Sequence, residues 1–517
     1  MKKVLAIIMA AALLLMSLTA CGTAASVAAE ETAAAQTDTA ESTETSETAA
    51  AAAVSDSMPA EGTPPGDPPG GDMGGGPGGN PPSGDMGGGP GGNPPGDPPS
   101  GGMPGGGPGA SSADIDYKGA VEVTSADTQS GQTYASTAAD ESALLISTAD
   151  EVTITDPTVA KSGDSDGGDN CNFYGLNAAV LVKNGATVTI EGGTITSDAN
   201  GANGVFCYGG NGGQNGADGD GTTLIIRGTT IVTTGDGSGG IMTTGGGVTF
   251  AYDLDVTTSG RSSAAIRTDR GGGTVEVDGG TYTSNGLGSP AIYSTADITV
   301  SDAVLISNLS EGVCIEGLNS VTLVDCDLTA DNTRCNGNAT FLDTIMIYQS
   351  MSGDAASGTS HFTMMGGSLT SRSGHVFHVT NTSAVITLEG VEIVNEDSDN
   401  ILLSVCADGW SGGSNIATLK AIAQQLSGVI KVGSDSSLTL ELTNGSSFAG
   451  SIDGSITNAK GETVSTDVGS VSVTLDSTST WTLTGDSYIT EFSGDAASII
   501  SNGYTLYVNG AALTGTN

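Results

Sequence analysis

The densest run of side chains able to do chemistry is Arg267-Thr268-Asp269-Arg270, with Arg261 just upstream, in a chain holding 14 Lys+Arg against 58 Asp+Glu. Two positions apart on a strand, Arg267 and Asp269 share a face. Ile266 is read as inward, so both are expected to project outward, side by side and exposed. A base with an acidic partner fits that pattern, and so does a solvent-exposed ion pair that adds little stability. Asp164, Asp166 and Asp169 on one Gly-rich loop, and Asp218 and Asp220 on another, offer hard oxygen ligands suited to calcium, although neither loop has EF-hand spacing. Acidic loops bathed in solvent are the alternative. His375 and His378 lack a visible third and fourth metal ligand and read as surface or turn histidines. Beyond Cys21 lie Cys171, Cys207, Cys314, Cys326, Cys335 and Cys406. No CxxC pair points to zinc or thiol redox chemistry, and the even count allows disulfides. Cys326 with Cys335 is the first pairing to expect, and Cys207 shares parity with Val205 and reads as core.

The elements that must carry these residues follow from a repeat. Val188, Ile190 and Ile195 are followed by Val205, and the same offsets return in Leu224/Ile226/Ile231/Ile241, Val275/Val277/Tyr282/Ile292 and Ile298/Val300/Leu305/Ile315. They return again in Phe362/Met364/Leu369/Val379 and Ile386/Leu388/Ile393/Leu403. The anchors Ile231, Val256, Tyr282, Leu305 and Leu328 lie about 23 to 26 residues apart, the period of a solenoid. Val188 and Ile190 alternate on one strand. The next apolar residue breaks parity, so a bend is required, and Gly192-Gly193, Gly279-Gly280 and Gly366-Gly367 supply it through positive φ. A small residue follows each anchor by two: Ser197, Thr233, Thr258, Ser284, Ser307, Ala330, Ser371. Three short strands and three turns per period predict a parallel β-helix. Insertions are expected near 209–221 and, longer, at 328–362, on the outside where binding resides.

The flanks are different in kind. Lys2 and Lys3, the apolar stretch from Val4 to Leu15, and Leu18-Thr19-Ala20-Cys21 resemble a bacterial lipoprotein signal. That resemblance implies a signal peptide over 1–20, lipid on Cys21, and export to the cell envelope. Residues 21–57 are an Ala/Thr/Glu-rich tether and 58–113 a Pro/Gly/Met-rich stalk with a twelve-residue motif repeated from Gly71 and Gly84. Neither can bury enough surface to offset chain entropy, so both are expected to stay disordered. The helix proper is expected over 114–416, with terminal coils and a cap over 417–517. Trp481, Tyr488, Phe492, Tyr504 and Tyr507 either close that end or form a carbohydrate-stacking platform. A net charge of −44 argues against nucleic acid and anionic membrane surfaces as partners of the body.

The coils that run Val188–Ser197 and Val275–Ser284 resemble the right-handed parallel β-helix of the pectin-lyase-like superfamily, above all its adhesin-like surface members. The resemblance covers about 121–517 and implies an all-β, single-stranded right-handed helix. It implies an extracellular glycan or cell-surface ligand bound without catalysis. The alternatives are a polysaccharide lyase or hydrolase working through Arg267, Asp269 and Arg270, and a purely structural envelope protein. Gly374-His375-Val376 lacks the second glycine of the hydrolase motif, which weakens that route.

Overall fold

The structure, a computed structural model, describes residues 115–165, 168–211 and 218–517. The expected signal peptide, Cys21, tether, stalk and Asp166 lie outside them. The described chain is a parallel β-helix. Each coil runs through a strand of sheet 2 (Thr187–Glu191), a tight corner, a strand of sheet 3 (Thr194–Ser197), a turn, and a strand of sheet 1 (Val205–Tyr208). Sheet 1 stacks 15 strands in parallel. Sheets 2 and 3 are joined where Gly247–Thr258 and Gly273–Ser284 run through the corner as single strands.

The repeat lies in register along the axis. Val159, Ile195, Ile231, Val256, Tyr282, Leu305, Leu328, Leu369 and Ile393 pair coil to coil in sheet 3. All of these but the partly buried Ile393 are fully buried, and each such side chain contributes about 1.5–3 kcal/mol. Thr249 occupies the position of Leu224 in sheet 2, which is why the pattern is incomplete there; its hydroxyl is 2.7 Å from that of Thr243. The small column beside the anchors has a polar reason. Thr233 and Thr258 each donate at 2.5 Å to a turn carbonyl of their own coil, Ser238 and Ser263. A buried carbonyl must find a donor.

The corner between sheets 2 and 3 is a column of left-handed residues. Gly192, Gly279 and Gly366 have φ of 68, 75 and 66° as expected, but Asp156, Asp253, Asp302 and Asp325 take the same place with φ of 48 to 52°. Asp tolerates this region better than most residues. Where the two types stack, a Cβ on Gly192 or Gly279 would meet the Oδ1 of Asp156 or Asp253 at 2.3 Å.

Two expectations change. The ten-residue step from sheet 3 to sheet 1 shortens to eight after Leu305 and Leu369, so Val313 and Phe377 align with Ile292, not Ile315 and Val379. The 328–362 stretch is not one outer loop: Asp343–Tyr348 is a coil strand of sheet 1 with Ile345 and Ile347 in the core, flanked by loops 331–342 and 349–358. Sheet 3 ends at Glu392–Asn395. From there each coil uses two long strands, Asn415–Ile422 with Gln425–Val432, then Ser436–Thr443 with Ser447–Asp453. Trp481 fills the last coils, stacked on Phe448 at 5.5 Å and donating to Gly450 O. Tyr488 and Tyr504 stay on the surface.

Candidate functional site

Alternation should leave the outward positions of sheet 1 polar, yet the outward column reads Leu181, Phe206, Met242, Arg267, Tyr293, Cys314, Met346, His378, Ser404. Such a column must be covered, and loops cover it. The helix Asp169–Tyr174 lays Phe173 and Tyr174 on Leu181, Phe206, Tyr208 and Met242. Further along, loops 331–342, 349–358 and 406–414 roof the face, with Trp410 against Tyr348 at 4.9 Å. The signal was present in runs such as Val205-Phe206-Cys207-Tyr208 and Ile345-Met346-Ile347-Tyr348, which are apolar at every position, as strands buried on both faces are.

Arg267 and Asp269 therefore lie side by side as expected but are not exposed. Arg267 Nη2 sits 2.8 Å from Asp269 Oδ2, with the two side chains 4% and 3% exposed. Arg267 Nη1 donates to Asn172 Oδ1 on the roof helix and to Ser262 O. Burial raises the Asp269 carboxyl and Arg267 pulls it back. Arg270 does not join that pair. It binds Asp354 of loop 349–358 at 2.5 Å and lies 4.1 Å over the Phe173 ring, bolting helix and loop together. Beside them Glu316 accepts from Tyr293 at 2.6 Å, Tyr348 at 3.3 Å and Ser350; burial raises it and these donors oppose the rise. A pocket of about 150 Å³ remains between Arg267, Pro290, Tyr293, Asn336 and Tyr348. Bonded to Asp269, Asn172 and Ser262, Arg267 ties the coil surface to the roof.

Of the two histidines, His378 is fully buried rather than on the surface, and His375 is half-buried at the start of its strand. Both Nδ1 atoms lie 2.7 Å from Ser404 Oγ. A hydroxyl donates once, so one imidazole accepts from Ser404 and the other donates to it. His378 Nε2 faces Asp408 Oδ2 at 3.6 Å, and Phe341 stacks on the His378 ring at 4.6 Å. Asp408 Oδ1 accepts from Thr340 N and Oγ1, at 2.8 and 2.5 Å, which ties loop 406–414 to loop 331–342. Burial opposes ionisation of Asp408, but His378 and the donors from Thr340 and Gly409 hold it low. Burial, then His378, lowers His375 to about 3. Burial, then Glu311 and Asp408, raises Asp343 well above the usual carboxylate range. Asp343 Oδ1, Asn332 Oδ1 and Thr344 Oγ1 have no hydrogen-bond partner among the protein atoms. Ser404, His378 and Asp408 stand in the order of a nucleophile, base and acid, but His378 Nε2 and Asp408 Oδ2 are too far apart to be hydrogen bonded and all three side chains are buried.

Of the calcium candidates, Asp166 lies outside the described residues, and the other four are bonded within the fold or exposed. Asp164 accepts from Asn200 N, and Asp169 lies in the first turn of the roof helix, where burial raises its carboxyl and Arg270 opposes the rise. Asp220 caps Thr222, and Asp218 is exposed. Among the described residues no three His, Cys, Asp or Glu are placed to hold a metal ion. None of the six described cysteines is in a disulfide. Cys326 is buried in the core with its Sγ 3.3 Å from Val300 O, while Cys335 rides in the roof with its Sγ 3.5 Å from Phe341 O, so the expected pair does not form. Cys207 is core, as its parity implied.

An open feature lies beside the roofed ones. Loops 349–358 and 406–414 enclose a groove of about 580 Å³ lined by Gln349, Met351, Asn381, Thr382, Ser411 and neighbouring small residues, without a charged group. Met351 is 60% exposed at its edge. Comparison with family models, with curated proteins and with solved structures finds no match to this chain.

Proposed function

We propose that this protein is an exported, lipid-anchored surface β-helix of the pectin-lyase-like kind that binds a neutral extracellular glycan without altering it. The observation carrying this proposal is the open groove at Gln349, Met351, Asn381 and Ser411. Amide and hydroxyl groups with one apolar wall suit sugar hydroxyls and a sugar's C–H face, and nothing there favours a charged ligand. Lipid on Cys21 and a tether and stalk over 21–113 would carry such a groove away from the bilayer. The lyase or hydrolase alternative has less support, because Arg267 and Asp269 are bonded to each other under the roof.

A panel of neutral and acidic glycans offered to the protein lacking residues 1–21 tests this. Neutral glycans should bind, and Met351→Arg should weaken binding about tenfold or more while changing stability by no more than about 0.5 kcal/mol, as surface substitutions do. Release of reducing or unsaturated ends by the unaltered protein would favour the enzyme. Binding to no glycan would favour a structural envelope role.

A further inference from the structure

Sheet 3 stops four coils before its neighbours, and the place where it stops is an open strand edge. Glu392 N donates to Gly367 O and Glu396 N to Ser371 O, both in the preceding coil. By strand alternation, Val391, Ile393 and Asn395 aim their backbone groups the other way. At Val391 a side chain answers them: Gln424 accepts from Val391 N at 2.7 Å and donates to Val391 O at 2.8 Å, as a neighbouring strand would. Beyond that one residue the substitute ends. Glu392–Asn395 pairs only with Ser368–Ser371, because the next coil sends Gln425–Val432 into sheet 1 instead. What remains is a groove of about 480 Å³ between that edge and Gln425, Leu426 and Ala449.

We propose that Glu392–Asn395 is a docking edge for an extended, basic segment of a partner protein, which adds to sheet 3 as one further strand. The backbone of Ile393 and Asn395 supplies the ladder, and the partly buried Ile393 and buried Leu426 receive alternate apolar side chains. Charge selects the occupant. Glu392 lines the groove, Glu389 and Glu396 flank it, and no Lys or Arg lines it. A second copy of this chain, at a net charge of −44, would bring like charge to the edge. Residues 21–113 of the same chain fit no better, being Glu-bearing and then proline-rich, and proline lacks the N–H a ladder needs. An uncovered edge of this kind is one that proteins otherwise block. This proposal is independent of the glycan groove.

The probe is a blocked octapeptide alternating valine and lysine, with one alternating valine and glutamate as control, titrated by fluorescence anisotropy against the protein lacking residues 1–21. The valine–lysine peptide should bind saturably, more weakly at higher salt, and should slow amide exchange at Ile393 and Asn395 while leaving Val394 as it was. Ile393→Pro deletes an N–H of the open side and should reduce binding about tenfold or more. Glu392→Lys, an exposed change that leaves the fold intact, should reduce it several-fold. Equal binding of the glutamate peptide, binding unmoved by either variant, or unchanged exchange at Ile393 and Asn395 on saturation would overturn the proposal. Failure of the lysine peptide to bind, or concentration-dependent self-association lost in Glu392→Lys, would also overturn it.

Discussion

The two buried polar clusters on the outer face of sheet 1 solve one problem in opposite ways. Around Arg267, each of two aspartates has a guanidinium at hydrogen-bond distance, 2.8 Å for Asp269 and 2.5 Å for Asp354. Around His378, Asp343, Glu311 and Asp408 lie together with no Lys or Arg paired to them among the described residues. The first cluster compensates charge with charge, and the second holds charge down through where its protons sit. Both serve one purpose, which is to fasten loops over an apolar column: Arg270 joins helix to loop, and Asp408 joins loop to loop. Both ends of the roof should respond to pH, because burial raises Asp269 to about 7 in spite of Arg267 and raises Asp343 well above the usual carboxylate range with no cation beside it among the described residues.

The largest expected effect breaks the compensated cluster. Arg267→Ala leaves Asp269 buried without its partner and should cost about 3–5 kcal/mol in urea unfolding. The double variant with Asp269→Ala should recover much of that, and no recovery would mean that Arg267 acts through packing alone. Next, Phe341→Ala removes the ring stacked on His378. Up to about 3 kcal/mol should be lost, and amide exchange should rise in 331–342 but not in the core strands. A uniform rise along the helix would contradict a locally fastened roof.

The smallest effect sharpens the comparison by pH. Asp343 is raised in the folded protein above its unfolded value of 3.8, so its contribution is complete below that value and is lost as pH climbs towards the folded one. Asp343→Asn should therefore gain on the wild type by up to about 1.4 kcal/mol per pH unit above pH 4. A gap that stays constant with pH would sink the assignment. His375 runs the other way. Lowered from 6.5 to about 3, it contributes fully above 6.5 and loses that contribution as pH falls. His375→Gln should differ in pH slope from the wild type only on the acid side.

How much of this was readable in advance depends on what each residue answers to. Val188, Ile231 or Leu305 answer to their own coil and its neighbours, at fixed spacing, so the inward lattice and the glycine corner could be read from sequence. Asp156 and Asp253 at that same corner were missed because Asp is more often read as a solvated loop residue than as a left-handed one. Arg267 and His378 answer to loops that return from far along the chain: Asn172 is 95 residues from Arg267, and Thr340 is 68 from Asp408. No local period encodes those meetings. What did announce a roof was the failure of alternation in the sheet 1 strands, where a strand with one wet face should have shown a polar residue at every second position.

The roof has a further consequence for the thiols in it and beneath it. Cys314 and Cys406 are buried and Cys335 partly so, and burial raises all three above the ordinary thiol range, which keeps them from the reactive thiolate form. In an oxidising medium that protection lasts as long as the loops stay closed. Once they lift, thiols that the native fold never pairs become free to cross-link, and a chain so joined cannot close again. Loss of this protein on heating in air would then be governed by how often the roof opens, and a reducing agent would turn an irreversible loss into a reversible one.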